Sequence, residues 1–249
     1  MTNNQLDSVS KKVKQKIYEC ISQAICEDRK EANAVLDLRT HVSDPFLNWD
    51  LIYRNLMNSF PMDNIVYSSK KQGMWEVLLL CEENNGILIS FMKNTRFKSI
   101  KNSKSRNQPK YIQALLTLNS DLQAKEKQES FFEINENEKV SELLKKNLNE
   151  MCLGFGKGSD EFKRHILVVF SNDYGNLSSL DAYILDRDFD IVYEQNWLND
   201  TKLIMTTLIE GNEKSNTQNN HLVLKRKSYE RINNKELVTL KEKAEKEKA

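Results

Sequence analysis

Cysteine is scarce in this sequence, and its four copies are not grouped. Cys20, Cys26, Cys81 and Cys152 include no Cys-x-x-Cys pair. A zinc site would need more ligands at closer spacing, so these residues are expected to be structural thiols in a reducing compartment. We therefore predict no metal site and no cofactor.

Long apolar runs are also missing. No run approaches the roughly 20 residues that a membrane-spanning helix needs, and the first residues lack the basic and apolar stretches of a secretory signal. Glycine and proline are few, at seven and three residues, which together with frequent Lys, Asn and Ile is typical of a low-GC genome. These absences predict a cytoplasmic protein that does not bind membranes.

The positive and negative charges of the whole chain nearly balance, with 37 Lys and Arg against 36 Asp and Glu and a formal net charge of +1. Any attraction to nucleic acid must therefore come from a local imbalance of charge. The apolar runs at residues 77–80 and 166–170 are core candidates that a disordered chain would lack.

The spacing of apolar residues predicts helices first and strands later. An apolar stripe through Val13, Ile17 and Ile21 indicates a helix over residues 6–28, and Asp44-Pro45 is a typical helix start. Further helices are predicted from Pro109 and over residues 140–151. Strands are predicted at residues 65–68, 74–82, 87–93, 131–134, 166–170, 182–185, 190–193, 203–208 and 222–224.

The strongest local signal is Asn84-Asn85-Gly86 between two apolar runs, which predicts a β-hairpin. The predicted fold class is α+β, with N-terminal helices, an antiparallel hairpin-based sheet with a covering helix, and a second small β-meander. A glycine-containing connector at residues 153–160 suggests a boundary. The predicted units are a helical and hairpin-sheet lobe (1–152), a β-rich lobe (153–233) and a Lys/Glu-rich tail (234–249), although a single domain is also compatible.

Residues 84–120 contain no Asp or Glu. The seven basic residues in this stretch are Lys93, Arg96, Lys98, Lys101, Lys104, Arg106 and Lys110. Phosphate binding favours cations without competing carboxylates, and nearby Phe91, Phe97 and Tyr111 are candidates for stacking on bases. We predict that these basic residues, centred on a loop at residues 95–108, contact nucleic acid or an acidic protein partner. The alternative is a solvated loop paired with the acidic residues 126–138.

Carboxylates raise a second possibility, a metal-dependent nuclease. Asp186, Asp188 and Asp190 alternate, and Glu76 lies on a predicted strand, so Asp186, Asp190 and Glu76 could share a metal ion. A metal-dependent nuclease core is expected to have a lysine beside its carboxylates. Neither the aspartate series nor the strand that carries Glu76 has one. The aspartates also suit a turn between two strands.

Histidine offers little support for nucleophilic catalysis. The chain has three histidines, at positions 41, 165 and 221, and they are dispersed. No catalytic residue is therefore predicted.

Two segments resemble a known family. One is residues 86–93 with Arg96-Phe97, Tyr111 and Asn119, and the other is residues 182–186 continuing to 191–194 and Trp197. Together they resemble an uncharacterised family of low-GC bacterial and prophage proteins known only as a domain of unknown function. The resemblance supplies no catalytic residues. It implies a bacterial or mobile-element setting, in which phage defence and counter-defence proteins are common.

The sequence thus predicts a non-enzymatic binding or accessory protein that uses its basic loop. A metal-dependent nuclease and a purely structural protein-interaction module remain as alternatives.

Overall fold

A computed structural model of the chain describes residues 5–36, 42–73, 75–102, 110–124 and 138–199. All of them fall within one compact unit, residues 1–208. Several predicted segments lie outside the described residues, namely 131–134, 203–208, 222–224 and 234–249.

The described residues contain helices in two groups, before and between the strands. They are α1 (Lys11–Gln23), α2 (Arg29–Leu36), α3 (Asp44–Ser59), α4 (Asn94–Asn102), α5 (Lys110–Leu116) and α6 (Glu138–Cys152). The strands are β1 (Ile65–Gln72), β2 (Trp75–Glu82), β3 (Ile87–Lys93), β4 (Arg164–Asp173), β5 (Asn176–Leu185) and β6 (Ile191–Asn196). Among these helices, none combines the length and the apolar character that crossing a bilayer requires.

The strands form one mixed sheet in chain order, from β1 to β6. β3 and β4 run parallel, and every other neighbouring pair is antiparallel. Parallel neighbours need a long crossover, and here α4, α5 and α6 lie between β3 and β4 in the chain. The α+β class is confirmed, and the hairpin sheet and the later meander are parts of a single sheet.

That sheet crosses the predicted boundary at residue 153. Ile87 of β3 pairs with Arg164 of β4, and the pairing continues to Lys93 and Phe170. The boundary therefore does not separate two sheets, and its role as a border between folding units stays a prediction.

Helices cover both faces of the sheet. α1 and α3 bury Ile17 and Ile52 against Leu78, Ile89 and Val168 on one face. The opposite face packs against α4, α5 and α6. Because alternate strand residues point to opposite faces, a central strand covered on both sides is apolar on both faces, as β2 is over residues 77–81 and β3 is over most of its length.

The hairpin prediction is confirmed, and the loop prediction at residues 95–108 is wrong in its first half. Gly86 takes the left-handed conformation, φ 64°, in the turn between β2 and β3. Residues 94–102 form α4, because Phe97 and Ile100 lie one turn apart and both are buried against the sheet.

Candidate functional site

One end of the sheet carries Lys93 and the start of the helix that follows it. β3 ends there at Lys93, β2 begins there at Trp75, and β4 reaches it at Asn172. α4 starts directly after Lys93, and the Asn94 side chain donates a hydrogen bond to Ser171 Oγ of β4 at 2.8 Å. We call this the Lys93 end of the sheet.

Five predicted cations fall within the described residues. Arg96, Lys98, Lys101 and Lys110 are exposed, and Lys93 is half-buried. None of the five makes an ion pair with a carboxylate in the described part of the chain. Lys93 lines a cavity on the α3 side of the sheet, whereas α4 and α5 pack on the opposite face, so we call only the four exposed residues the basic surface.

The remaining two predicted cations, Lys104 and Arg106, lie outside the described residues. The acidic residues 126–137, which were the suggested partners of the loop, also lie outside them.

The aromatic residues of the basic stretch do not have the role predicted for them. Phe91 and Phe97 are each 5% exposed, and Phe97 stacks on Tyr183 with ring centroids 4.9 Å apart. Tyr111 is largely buried, and burial raises the pKa of its hydroxyl to about 12, with Arg96 opposing the shift. Phe97 and Tyr111 pack between the helices α4 and α5 and the sheet, and Phe91 packs in the core on the opposite face, so none of the three is available to stack on bases.

The strands β2 and β3 separate as they approach the Lys93 end. They pair only at Leu80↔Ile89 and the two pairs nearer the turn, although both strands continue further. Continuing the register would place Glu76 opposite Lys93 on the same face of the sheet.

Tyr53 of α3 lies against the separating strands. Burial raises the pKa of its hydroxyl above the ordinary value, and the Leu78 backbone amide opposes that effect. Tyr111 and Glu76 both add to the rise, so the two tyrosine hydroxyls and the Glu76 carboxylate are within electrostatic reach of one another.

A small cavity lies beside Lys93, between the sheet and α3. Its volume is about 40 Å³, and its lining combines polar and aromatic groups. The main lining residues are Pro45, Asn48, Trp49, Lys93, Phe170 and Asn172. Asn48 Oδ1 is buried there and accepts no hydrogen bond from the described residues. The cavity has room for a few water molecules, so it is too small for an organic ligand.

An exposed aromatic pair includes Phe46, which follows the cavity-lining Pro45 in the chain. Phe46 of α3 and Trp75 of β2 stack with ring centroids 5.0 Å apart and planes 4° from parallel. They remain 54% and 50% exposed. The two residues are far apart in sequence, and no local pattern indicated that they would meet.

The carboxylates of the nuclease alternative do not come together. Asp186 follows β5 at the end of the sheet where Ile87 and Arg164 pair, whereas Glu76 lies at the Lys93 end. At about 3.3 Å per residue, these ends are about 20 Å apart. Within the described ranges there is no group of three potential metal ligands, so Asp186 and Glu76 cannot share a metal ion.

The Asp186 side chain instead organises a turn. Its Oδ1 accepts hydrogen bonds from the backbone N–H groups of Asp188 and Asp190, both at 2.9 Å. Its Oδ2 accepts one from the backbone N–H of Ala124 at 3.2 Å. The turn interpretation of the aspartate series is therefore confirmed.

A buried serine–histidine pair was not predicted. Ser90 Oγ lies 2.8 Å from His165 Nε2, and both residues are at most 1% exposed. Burial lowers the pKa of His165 to about 3. No substrate reaches a pair buried in this way, so its role is structural.

Comparison with known proteins identifies a family. A model of a family of unknown function, DUF5986, matches residues 6–243. No curated protein and no solved structure matches significantly.

Proposed function

The chain belongs to the family of unknown function DUF5986, and we propose that it is a non-enzymatic binding protein whose basic surface contacts the phosphates of a nucleic acid. The observation that carries the proposal is the exposure of Arg96, Lys98, Lys101 and Lys110 without a carboxylate partner among the described residues. Cations in this condition are free to replace the counterions of a phosphate backbone.

The other exposed side chains of α4 favour phosphate over an acidic protein. Thr95, Ser99 and Asn102 are exposed, and such groups hydrogen-bond phosphate oxygens. A stable protein interface usually needs a buried aromatic or aliphatic anchor at its centre, and the large apolar residues of α4, Phe97 and Ile100, are buried.

Two double variants with equal changes in charge test the proposal. Lys98→Glu with Lys101→Glu reverses the basic surface, and Lys145→Glu with Lys146→Glu reverses two exposed lysines on α6. Affinity for a labelled DNA duplex is measured by fluorescence polarisation over a series of salt concentrations. We expect the first variant to lose at least about tenfold in affinity and to reduce the salt slope by about two, since each phosphate contact contributes roughly 0.9.

Equal binding by the two double variants would contradict the proposal. So would an absence of nucleic-acid binding by the wild type at low salt. If the wild type instead co-purifies with an acidic protein and binds no nucleic acid, the basic surface is a protein-interaction site. A bacterial or prophage origin and a role in phage defence or counter-defence stay predictions.

A further inference from the structure

We propose that Phe46 and Trp75 form a base-stacking platform at the Lys93 end of the sheet, so that the nucleic acid bound includes unpaired nucleotides. This inference rests on the proposed function and goes beyond it. Phosphate contacts alone do not distinguish a duplex from a single strand, whereas an exposed aromatic platform does.

The platform is held in place by regular structure on both sides. Trp75 opens β2 and pairs with Gln72 of β1, and Phe46 lies in the first turn of α3 after Pro45. Both rings are therefore positioned before any ligand arrives. A half-exposed stacked pair leaves apolar faces in water, and every nucleobase has a flat face that can cover them.

Two cations lie at the same end of the sheet as the platform. Pro45, next to Phe46, lines the cavity that Lys93 also lines. Lys93 is followed by α4, which carries the exposed Arg96. A strand whose bases stack on Trp75 thus has cations nearby for its phosphates, and this complementarity of charge favours a nucleic acid as the occupant.

The carboxylate of Glu76, next to the platform, opposes the binding of phosphates. Glu76 follows Trp75, is exposed, and pairs in register with Lys71 of β1. Its charge repels phosphates, so it weakens the attraction that Lys93, on the same face of the sheet, has for the bound strand. Neutralising this carboxylate in Glu76→Gln should strengthen binding of a single strand.

The test compares a thymidine oligonucleotide with a blunt duplex of the same length. Trp75→Ala should weaken binding of the oligonucleotide by about tenfold, in line with the loss of one stacked base, and should leave duplex binding unchanged. Trp75→Phe should retain most of the affinity, because it keeps a ring. Tyr67→Ala is the matched control, since Tyr67 is an exposed aromatic of β1 further from the Lys93 end.

The outcomes separate this inference from the proposed function. Suppose that duplex binding depends on Lys98 and Lys101, but that Trp75→Ala binds the oligonucleotide as tightly as the wild type does. The stacking proposal is then wrong, and the proposed phosphate contact stands. Equal losses for both ligands in Trp75→Ala, at an unchanged thermal unfolding midpoint, would also overturn the platform. If the wild type binds neither ligand, both proposals fail.

Phe46→Ala provides a second variant in which the fold can be checked independently. It removes the other ring from α3 without touching the sheet. It should reproduce the selective loss for the oligonucleotide, and a normal affinity in this variant would count against the platform.

Discussion

At the scale of single residues, His165 links stability to pH. Its side chain is buried against Ser90, and burial lowers its pKa from 6.5 to about 3. Between these two values the unfolded chain binds one proton more than the folded chain. The contribution of His165 to stability is therefore fully present above about pH 6.5 and is lost as the pH falls toward 3.

We expect the free energy of unfolding to decrease by about 1 kcal/mol from this residue between about pH 7 and pH 5.5. Urea unfolding of the wild type and of His165→Gln at several pH values measures this contribution. The variant should have a shallower pH dependence over this interval, whatever its absolute stability. Parallel curves would show that His165 does not titrate differently in the two states.

The second prediction at this scale concerns Asp186. The nuclease alternative and the turn interpretation predict different effects of replacing this residue. Its carboxylate accepts three backbone hydrogen bonds while 3% exposed. Asp186→Ala should therefore lower the free energy of unfolding by about 3 kcal/mol, since it leaves buried N–H groups without acceptors.

Asp190→Ala is the control for this effect, because Asp190 contributes its backbone to the same turn. It should cost about 1 kcal/mol or less, as is usual for a surface substitution. Thermal and urea unfolding measure both variants, and an Asp186→Ala protein as stable as the wild type would refute the structural role.

At the scale of elements, the β2–β3 hairpin depends on one glycine for two reasons. Gly86 has φ 64°, and a Cβ atom there would clash with the Glu161 carbonyl oxygen. Gly73 has a similar φ, 66°, but open space around it. The two glycines therefore separate the conformational cost of a side chain from the steric cost.

We expect Gly73→Ala to destabilise the protein by about 1 kcal/mol, through backbone strain alone. Gly86→Ala should destabilise it by about 3 kcal/mol, because the Glu161 backbone must also move. Urea unfolding of the two variants gives the difference directly. Equal losses of stability in the two variants would mean that the segment carrying Glu161 moves away from the new Cβ atom at no cost in free energy.

The elements that the sequence predicted well are those with local signals. The turn at Gly86 and the apolar stripe of α1 are each contained in a short window, and both were predicted correctly. α4 was missed because its buried face has only Phe97 and Ile100, and the helix depends on burial against β3 and β4.

The candidate site was predictable only in part, for the same reason. The absence of acid identified Lys93 and Arg96 as candidates, since composition is visible in the chain. The pairing of β3 with β4, the separation of β2 from β3, and the meeting of Phe46 with Trp75 all depend on contacts between distant residues. The buried state of Phe97 also depends on such contacts, which is why its predicted stacking role was wrong.

At the scale of the whole molecule, the parallel pairing of β3 and β4 should make the two predicted lobes unfold together. The strands pair from Ile87↔Arg164 to Lys93↔Phe170, across the connector at residues 153–160. Both are buried at the centre of the sheet between helices. Amides in such strands exchange with solvent only when the cooperative unit opens.

We therefore expect the slowest amides of β3 and β4 in native-state hydrogen exchange to have the same free energy of opening. That value should equal the free energy of global unfolding measured with urea. The reason is that β3 and β4 are hydrogen-bonded to each other. If either strand leaves the sheet, the other loses its neighbour and its apolar faces are exposed to water. A difference of more than about 1 kcal/mol between the two strands would mean that residues 1–152 and 153–233 open separately, since distinct opening free energies define distinct cooperative units.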